Sequence, residues 1–345
     1  MATTDTYFSI KKSMDRRKFV KNSSLFALSL AGAKLVDLTV SPKTLAQVNQ
    51  IKFGIISTES QTNQRPIWEP LIKAFSDSIG LPVKPFYVTQ YVAVIEAMRT
   101  GDIHLAWYGG KSYIEAAKRA NAEAFAQTVD TEGGKGYYSH LITNKNNPIV
   151  SEAKAMGGDK YVIKNAGNLT FAFNDPNSTS GFLVPSYYIF AQNGVDPKKI
   201  FKRLVFSGSH EATALAIANN QVDVATNNNE SLDRLQQTNP QARANIETIW
   251  TSTLIPSDPI AYRKDLPADL KQKIRNFFYN YKESAVLKPH GWSGFAPADD
   301  KIWNPIRELD IAKKILELEN KENLSAEDRQ QLEQFRQQLK AVKSN

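Results

Sequence analysis

The sequence predicts an α/β protein built as two similar lobes around a hinged cleft, followed by a helical C-terminal tail. Three observations carry this. Beyond Gln50, short apolar strands alternate with helical patterns, the arrangement that lays helices against a sheet. The same grammar returns 118 residues on (171 minus 53), where FAFNDPNSTSGFLVPSYYIF repeats the strand, turn, hydroxyl, proline and helix layout of FGIISTESQTNQRPIWEPLI. A second match sets ALAIANNQVDVATNNNESLDRL against EAMRTGDIHLAWYGGKSYIEA, with Ile103 on Val222 and Ser112 on Ser231. A repeat of whole supersecondary units implies two lobes of like build. Strand C-terminal ends that face each other place a ligand site between them.

Residues 1–46 are an address. Arg16–Arg17 precede Lys18, Phe19, Val20 and Lys21, and a mildly apolar run follows from Leu25 to Val36. That order has the form of a twin-arginine export signal, which implies a periplasmic protein. The run is too short to span a bilayer, which takes about 20 apolar residues. Thr44, Leu45 and Ala46 offer small residues for cleavage and place the mature start near Gln47.

IKFGIIS is then a strand, and RPIWEPLIKAFSDSIG a helix stopped by Gly80. VKPFYV is a strand, YVAVIEAMRTG a helix, IHLAWYG a strand and KSYIEAAKRA a helix. The lobes are expected to exchange chain near 144–168 and again near 255–263. That gives 47–145 and 261–302 to the first lobe, including the helix LKQKIRNFFYNY, and 146–260 to the second. SEAKAMGGDKYVIKNAGN is read as a surface loop. In the tail, 303–345, Ile311, Ile315 and Leu318 form one stripe. Ser325 is a candidate cap for the polar helix after it, which packs on a lobe or reaches a second copy in a homodimer.

Composition removes several classes of function. With 345 residues and 41% apolar content the chain can bury one large core or two moderate ones. It has no cysteine, and its four histidines show no metal-ligand spacing. The net charge of +8 is mostly the address: 1–46 carry eight Lys/Arg and three Asp, leaving 35 minus 32, or +3, for the rest. No basic stripe remains for nucleic acid.

Ser178, Thr179 and Ser180 stand side by side where a strand delivers the chain into a helix. The first N–H groups of a helix are unpaired and its N-terminal end is positive. One hydroxyl would be an ordinary cap; three, with Gly181 allowing close approach, make a cup for a tetrahedral oxyanion. The cup itself contains no Lys or Arg, so it selects by hydrogen-bond geometry. His210 begins the next helix, a position that aims it at the cleft; a lone histidine is either a site residue or a structural one. Glu230, after VDVATNNN, and Asp258, in LIPSDPI, are either solvated acids or, if both face the cleft, a pair that would hold a cation.

At these residues the chain resembles the periplasmic phosphonate-binding proteins of ABC importers, the PhnD family. The resemblance rests on FGIISTESQ, AWYGGKSYIEA, NDPNSTSGFLVP, QVDVATNNNESLDRL and IPSDPI, and covers nearly the whole mature chain. It implies a type II periplasmic binding fold that closes on its ligand and hands it to a membrane permease. It implies that Ser178, Thr179, Ser180 and His210 hold the phosphonate oxygens, with hydroxyls from Tyr91 and Tyr137. It also implies that Glu230 and Asp258 bind the amine of 2-aminoethylphosphonate. Tyr138 adjoins Tyr137, and Tyr108 is a further candidate for lining the cleft. Phosphite, phosphate and methylphosphonate are the alternative ligands. No cofactor, metal or catalytic residue is expected, because a phosphonate-cleaving enzyme would need a metal, a Schiff-base lysine or an activated nucleophile. The chain contains no GxSxG elbow.

Overall fold

The computed structural model describes residues 48–344; the export segment and the mature start near Gln47 lie outside them. Among these residues the strands are β1 (Ile51–Ile55), β2 (Val83–Tyr87), β3 (Leu105–Trp107), β4 (Ala122–Asp130), β5 (Gly136–Tyr137) and β6 (Ser139–Asn144). They continue with β7 (Thr170–Phe173), β8 (Arg203–Phe206), β9 (Val224–Asn228), β10 (Ile246–Thr251), β11 (Ile255–Pro256), β12 (Pro259–Arg263) and β13 (Trp292–Pro297). One sheet runs β2-β1-β3-β12-β4-β13 and the other β8-β7-β9-β6-β10.

The internal repeat is visible in this order. In each sheet three parallel strands, with the first in sequence in the middle, are followed by an antiparallel fourth: β12 on β3, and β6 on β9. Each lobe folds around an aromatic cluster. Phe53, Trp68, Trp107 and Trp292 pack in the first, and Phe171, Phe173 and Phe190 in the second.

The chain crosses between sheets twice, and the two crossings pair as a small ribbon in which Tyr137 faces Ile255. The first crossing lies between Asp130 and Ser139, not at 144–168. The stretch expected to end the first lobe, Ser139–Asn144, covers the edge of β9, and its Leu141 and Ile142 are fully buried in the second lobe. The return occurs between Thr251 and Pro259. Residues 151–168, read as a loop, contribute to helices Val150–Met156 and Gly158–Asn165, which bury Ala153, Tyr161 and Val162.

The first helix begins at Gln61, a turn before RPIWEPL, and ends as expected at Gly80, whose φ of 69° suits glycine. The helix after β7 departs further from expectation. It is wound wide, with Leu183 N–H on Ser178 O at 3.1 Å and Val184 N–H on Thr179 O, the i to i+5 pattern of a π-helix. Pro185 supplies a reason: it has no N–H for the carbonyl four residues back, at Gly181. That carbonyl instead accepts the Thr226 hydroxyl at 2.7 Å and the Asn174 N–H at 3.2 Å.

The tail is a helical hairpin of Asn304–Glu319 and Ala326–Ser344. Ser325 caps the second helix, accepting the Asp328 N–H at 3.0 Å while the Asp328 carboxylate accepts the Ser325 N–H. The stripe of Ile311, Ile315 and Leu318 is covered by Leu332 of the same chain. The hairpin is anchored on the first lobe by Lys111, whose ammonium lies 2.8 Å from Asp310, and touches the second where Lys313 stands over Phe182.

Gly181→Ala tests the winding after β7. A Cβ there would stand 2.6 Å from Asn174 Cβ, so the helix start must shift. The expected loss is about 1–3 kcal/mol of stability, read as a lower melting temperature.

Candidate ligand-binding cleft

The two sheets meet across a small cavity lined from both sides. The hydroxyl cup forms one wall. Ser178 is the cap of its helix, its Oγ accepting the Gly181 N–H at 3.0 Å. Its own proton remains free to turn towards the cavity or towards His210 Nε2, 3.4 Å away. Ser180 Oγ accepts the Asn228 side-chain amide at 3.1 Å, and its carbonyl accepts the Ser139 hydroxyl at 2.7 Å. Thr179 reaches across the cleft, where its Oγ1 accepts the Lys111 N–H at 2.8 Å. All three are buried.

His210 opens the helix His210–Ala218 behind a Ser209 cap and faces the same cavity. Burial lowers its basicity to about 3, and Arg234 adds to the effect. The imidazole is therefore neutral at physiological pH, so it meets the site as a hydrogen-bonding group and not as a charge.

The opposite wall carries Tyr91 and Tyr137, both buried. Tyr91 begins the helix Tyr91–Thr100. Tyr137 lies on β5 against Thr179 and Asp258. The neighbouring Tyr138 is 40% exposed, as strand alternation requires. Burial raises both inward phenols well above their ordinary value, which keeps them protonated and able to donate.

Glu230 and Asp258 line this cavity as well. Burial raises Glu230 from 4.5 to about 7; Arg234 opposes that shift, and Asp130 and Glu59 add to it. Asp258 is raised well above the usual carboxylate range, first by burial and then by the charge of Glu230. Two acids in one enclosed space cannot both ionise cheaply without a cation between them. Asp258 Oδ1 is buried with no hydrogen-bond partner.

Tyr108 does not line the cavity. Its ring is fully buried in the first lobe's core, and its hydroxyl points at Val94 O, 3.4 Å away. The adjacent Trp107 faces the cleft instead, because neighbours on a strand point to opposite faces.

Sequence reasoning missed Arg234. It is buried in the cavity wall and paired with Glu59 of the first lobe at 2.7 Å. The signal was the spacing Glu230 to Arg234, i and i+4 on one helix, which puts both on one face. The cup contains no cation, as expected, but the cavity it opens into does. Asn228 was also missed; its carbonyl caps the Asn229–Thr238 helix while its amide serves Ser180 and His210.

Two lobes of matching strand order, joined by a pair of crossings and closing polar side chains of both into one cavity, define the class of bilobal solute-binding proteins. The family model for "ABC transporter, phosphonate, periplasmic substrate-binding protein" matches residues 53–303. The chain belongs to that family. Among its relatives, the phosphonates-binding periplasmic protein of Escherichia coli is 44% identical over 82% of this chain and 82% of its own length. A solved binding component of an ABC phosphonate transporter from Pseudomonas aeruginosa, also 44% identical, matches with a TM-score of 0.80 over 86% of this chain and 97% of that one. A protein from Prochlorococcus marinus, solved in complex with methylphosphonate, is 26% identical with a TM-score of 0.66, over 76% of this chain and 97% of that one.

The acid pair fixes a pH signature for the ligand-free protein. A carboxyl raised in the folded state favours folding at low pH. That contribution is lost as pH rises from 4.5 through about 7 for Glu230. Glu230→Gln cannot ionise. Its melting temperature relative to the parent protein should therefore rise between about pH 5 and about pH 8. A difference that stays constant over that range would place the Glu230 carboxyl in an ordinary solvated setting.

Proposed function

We propose that this cleft captures a phosphonate bearing an ammonium group, with 2-aminoethylphosphonate the best fit, and delivers it to the membrane permease of an ABC importer. The observation that carries the reading is the pairing, within one cavity, of the hydroxyl cup and two acids, of which the buried Asp258 has an unpartnered oxygen. The phosphonate oxygens go to the Ser178, Thr179 and Ser180 side, where unpaired helix amides and hydroxyls donate, with His210, Tyr91 and Tyr137 around them. The ammonium goes between Glu230 and Asp258. It supplies the missing donor at Asp258 Oδ1 and lets both acids ionise, so binding should release a proton near neutral pH.

The cup needs no cation of its own. Hydrogen bonds to a charged oxygen are each worth about 1.5–3 kcal/mol, and several suffice for micromolar affinity. A neutral His210 adds selectivity for geometry over charge. Contacts from both lobes give the ligand a higher affinity for the closed form than for an open one, which is the condition for ligand-driven closure. The chain's export by the twin-arginine route is part of the same reading, and Arg16→Lys with Arg17→Lys should leave the precursor unexported in cell fractionation. A homodimer through the tail would have to use the polar face of Ala326–Ser344, because its apolar side is covered within the chain. Sedimentation of the exported protein tests that.

Calorimetric titration of refolded, ligand-stripped protein with 2-aminoethylphosphonate, methylphosphonate, phosphite and phosphate tests the ligand. The aminophosphonate should bind tightest. Glu230→Gln should weaken it about 10- to 100-fold while changing methylphosphonate affinity little. Equal losses for the two would remove the amine clamp, and a lead for phosphite or methylphosphonate would assign the cup to simpler anions.

A further inference from the structure

The three helices Gln61–Ile79, Tyr91–Thr100 and Gly110–Arg119 all start at the cleft, on the side of the first sheet. A helix start leaves N–H groups without carbonyls and gathers positive charge. Sequences usually answer with a capping side chain and an acid in the first turn. Here neither Ser60 nor Gln90 caps its helix through its side chain, and neither first turn holds an acidic residue.

The second lobe supplies the missing partners. The Glu211 carboxylate accepts the Ser60 N–H with one oxygen and the Asn63 side-chain amide with the other. The Glu211 N–H donates to Thr58 O at 3.2 Å. Asp175 Oδ2 accepts the Tyr91 N–H at 3.2 Å, and Thr179 Oγ1 accepts the Lys111 N–H at 2.8 Å. Each of these bonds crosses from one lobe to the other, so separating the lobes returns all three helix starts to water. Thr179 belongs to the ligand cavity; Glu211 and Asp175 do not line it.

We infer that Glu211 and Asp175 are positioning residues for ligand capture: they cap first-lobe helices across the cleft and so set the population of the closed form. Apparent affinity equals intrinsic affinity scaled by the fraction of protein in the competent state. Residues that never touch the ligand therefore tune its binding, and they tune it by the same factor for every ligand. Glu211→Gln is the informative change, because both carboxylate oxygens face donors and an amide must turn its NH2 towards one of them.

The test uses the full mature chain and two readouts. Small-angle scattering of ligand-free protein measures lobe separation, and calorimetry measures affinity for both 2-aminoethylphosphonate and methylphosphonate. Glu211→Gln and Asp175→Asn should each enlarge the ligand-free radius of gyration. Each should weaken both ligands by one common factor of about 2 to 10, chiefly through faster release. An unchanged radius together with unchanged affinities overturns the inference, as does a loss confined to one ligand. The inference rests on the cleft being a ligand site, but the two claims fail separately. Expanded variants of a protein that binds no phosphonate would keep the capping and remove the ligand assignment. Tight phosphonate binding that neither variant alters would do the reverse.

Discussion

The contact on which the site depends is the Thr226 hydroxyl against the Gly181 carbonyl. Pro185 leaves that carbonyl unclaimed by its own helix, and Thr226 on β9 and Asn174 at the end of β7 take it. The helix start is thereby tied to two strand ends at once. Gly181 is the residue that permits it, since any Cβ would run into Asn174. With the first turn held open in this way, Ser178, Thr179 and Ser180 all line the cleft, Ser178 while still capping its own helix. A regular α-helix at this position would have needed a residue with an N–H at 185, and its first turn would have satisfied the carbonyl that now anchors the cup.

Much of this was legible in the sequence because each signal was local or periodic. Alternating strands and helices, repeated once, gave the two sheets their matching order. Three hydroxyls in a row exceeded what a cap requires and so marked the cup. The features that were not legible depend on register or on distant partners. Trp107 and Tyr108 are adjacent aromatics, and which one faces the cleft is decided by the pairing of Trp107 with Ile260 on β12. The boundary at Ser139 depended on β6 joining a sheet whose next strand, β9, lies some 80 residues further on (224 minus 144). Arg234 stood in plain view four residues after Glu230. Its place in the cavity wall follows from Glu59, 175 residues away, and no local pattern announces such a pair.

The electrostatics of the cavity are arranged by burial more than by formal charge. His210 is held neutral, the phenols are held protonated, and the acid pair is held reluctant to ionise. Arg234 and Glu59 neutralise each other across the lobes at 2.7 Å. The result is a site with strong directional donors at one end and latent negative charge at the other. Under the proposed binding mode a zwitterion completes both ends at once. A simple anion of the same size would use the cup and leave the acids protonated.

Tyr137 sits on β5, one of the two strands that carry the chain between lobes, and Asp258 lies two residues beyond its partner strand β11. Gly136 lets the strands approach so closely that a side chain there would meet Ile255 O at 2.8 Å. Under the proposed binding mode the crossing between lobes and the grip on the ligand are one piece of backbone, and a bound solute would splint the ribbon as well as bridge the lobes. Any partner that twists this ribbon would loosen the two cleft residues nearest it in the same motion, so unloading would need no separate trigger inside the cavity.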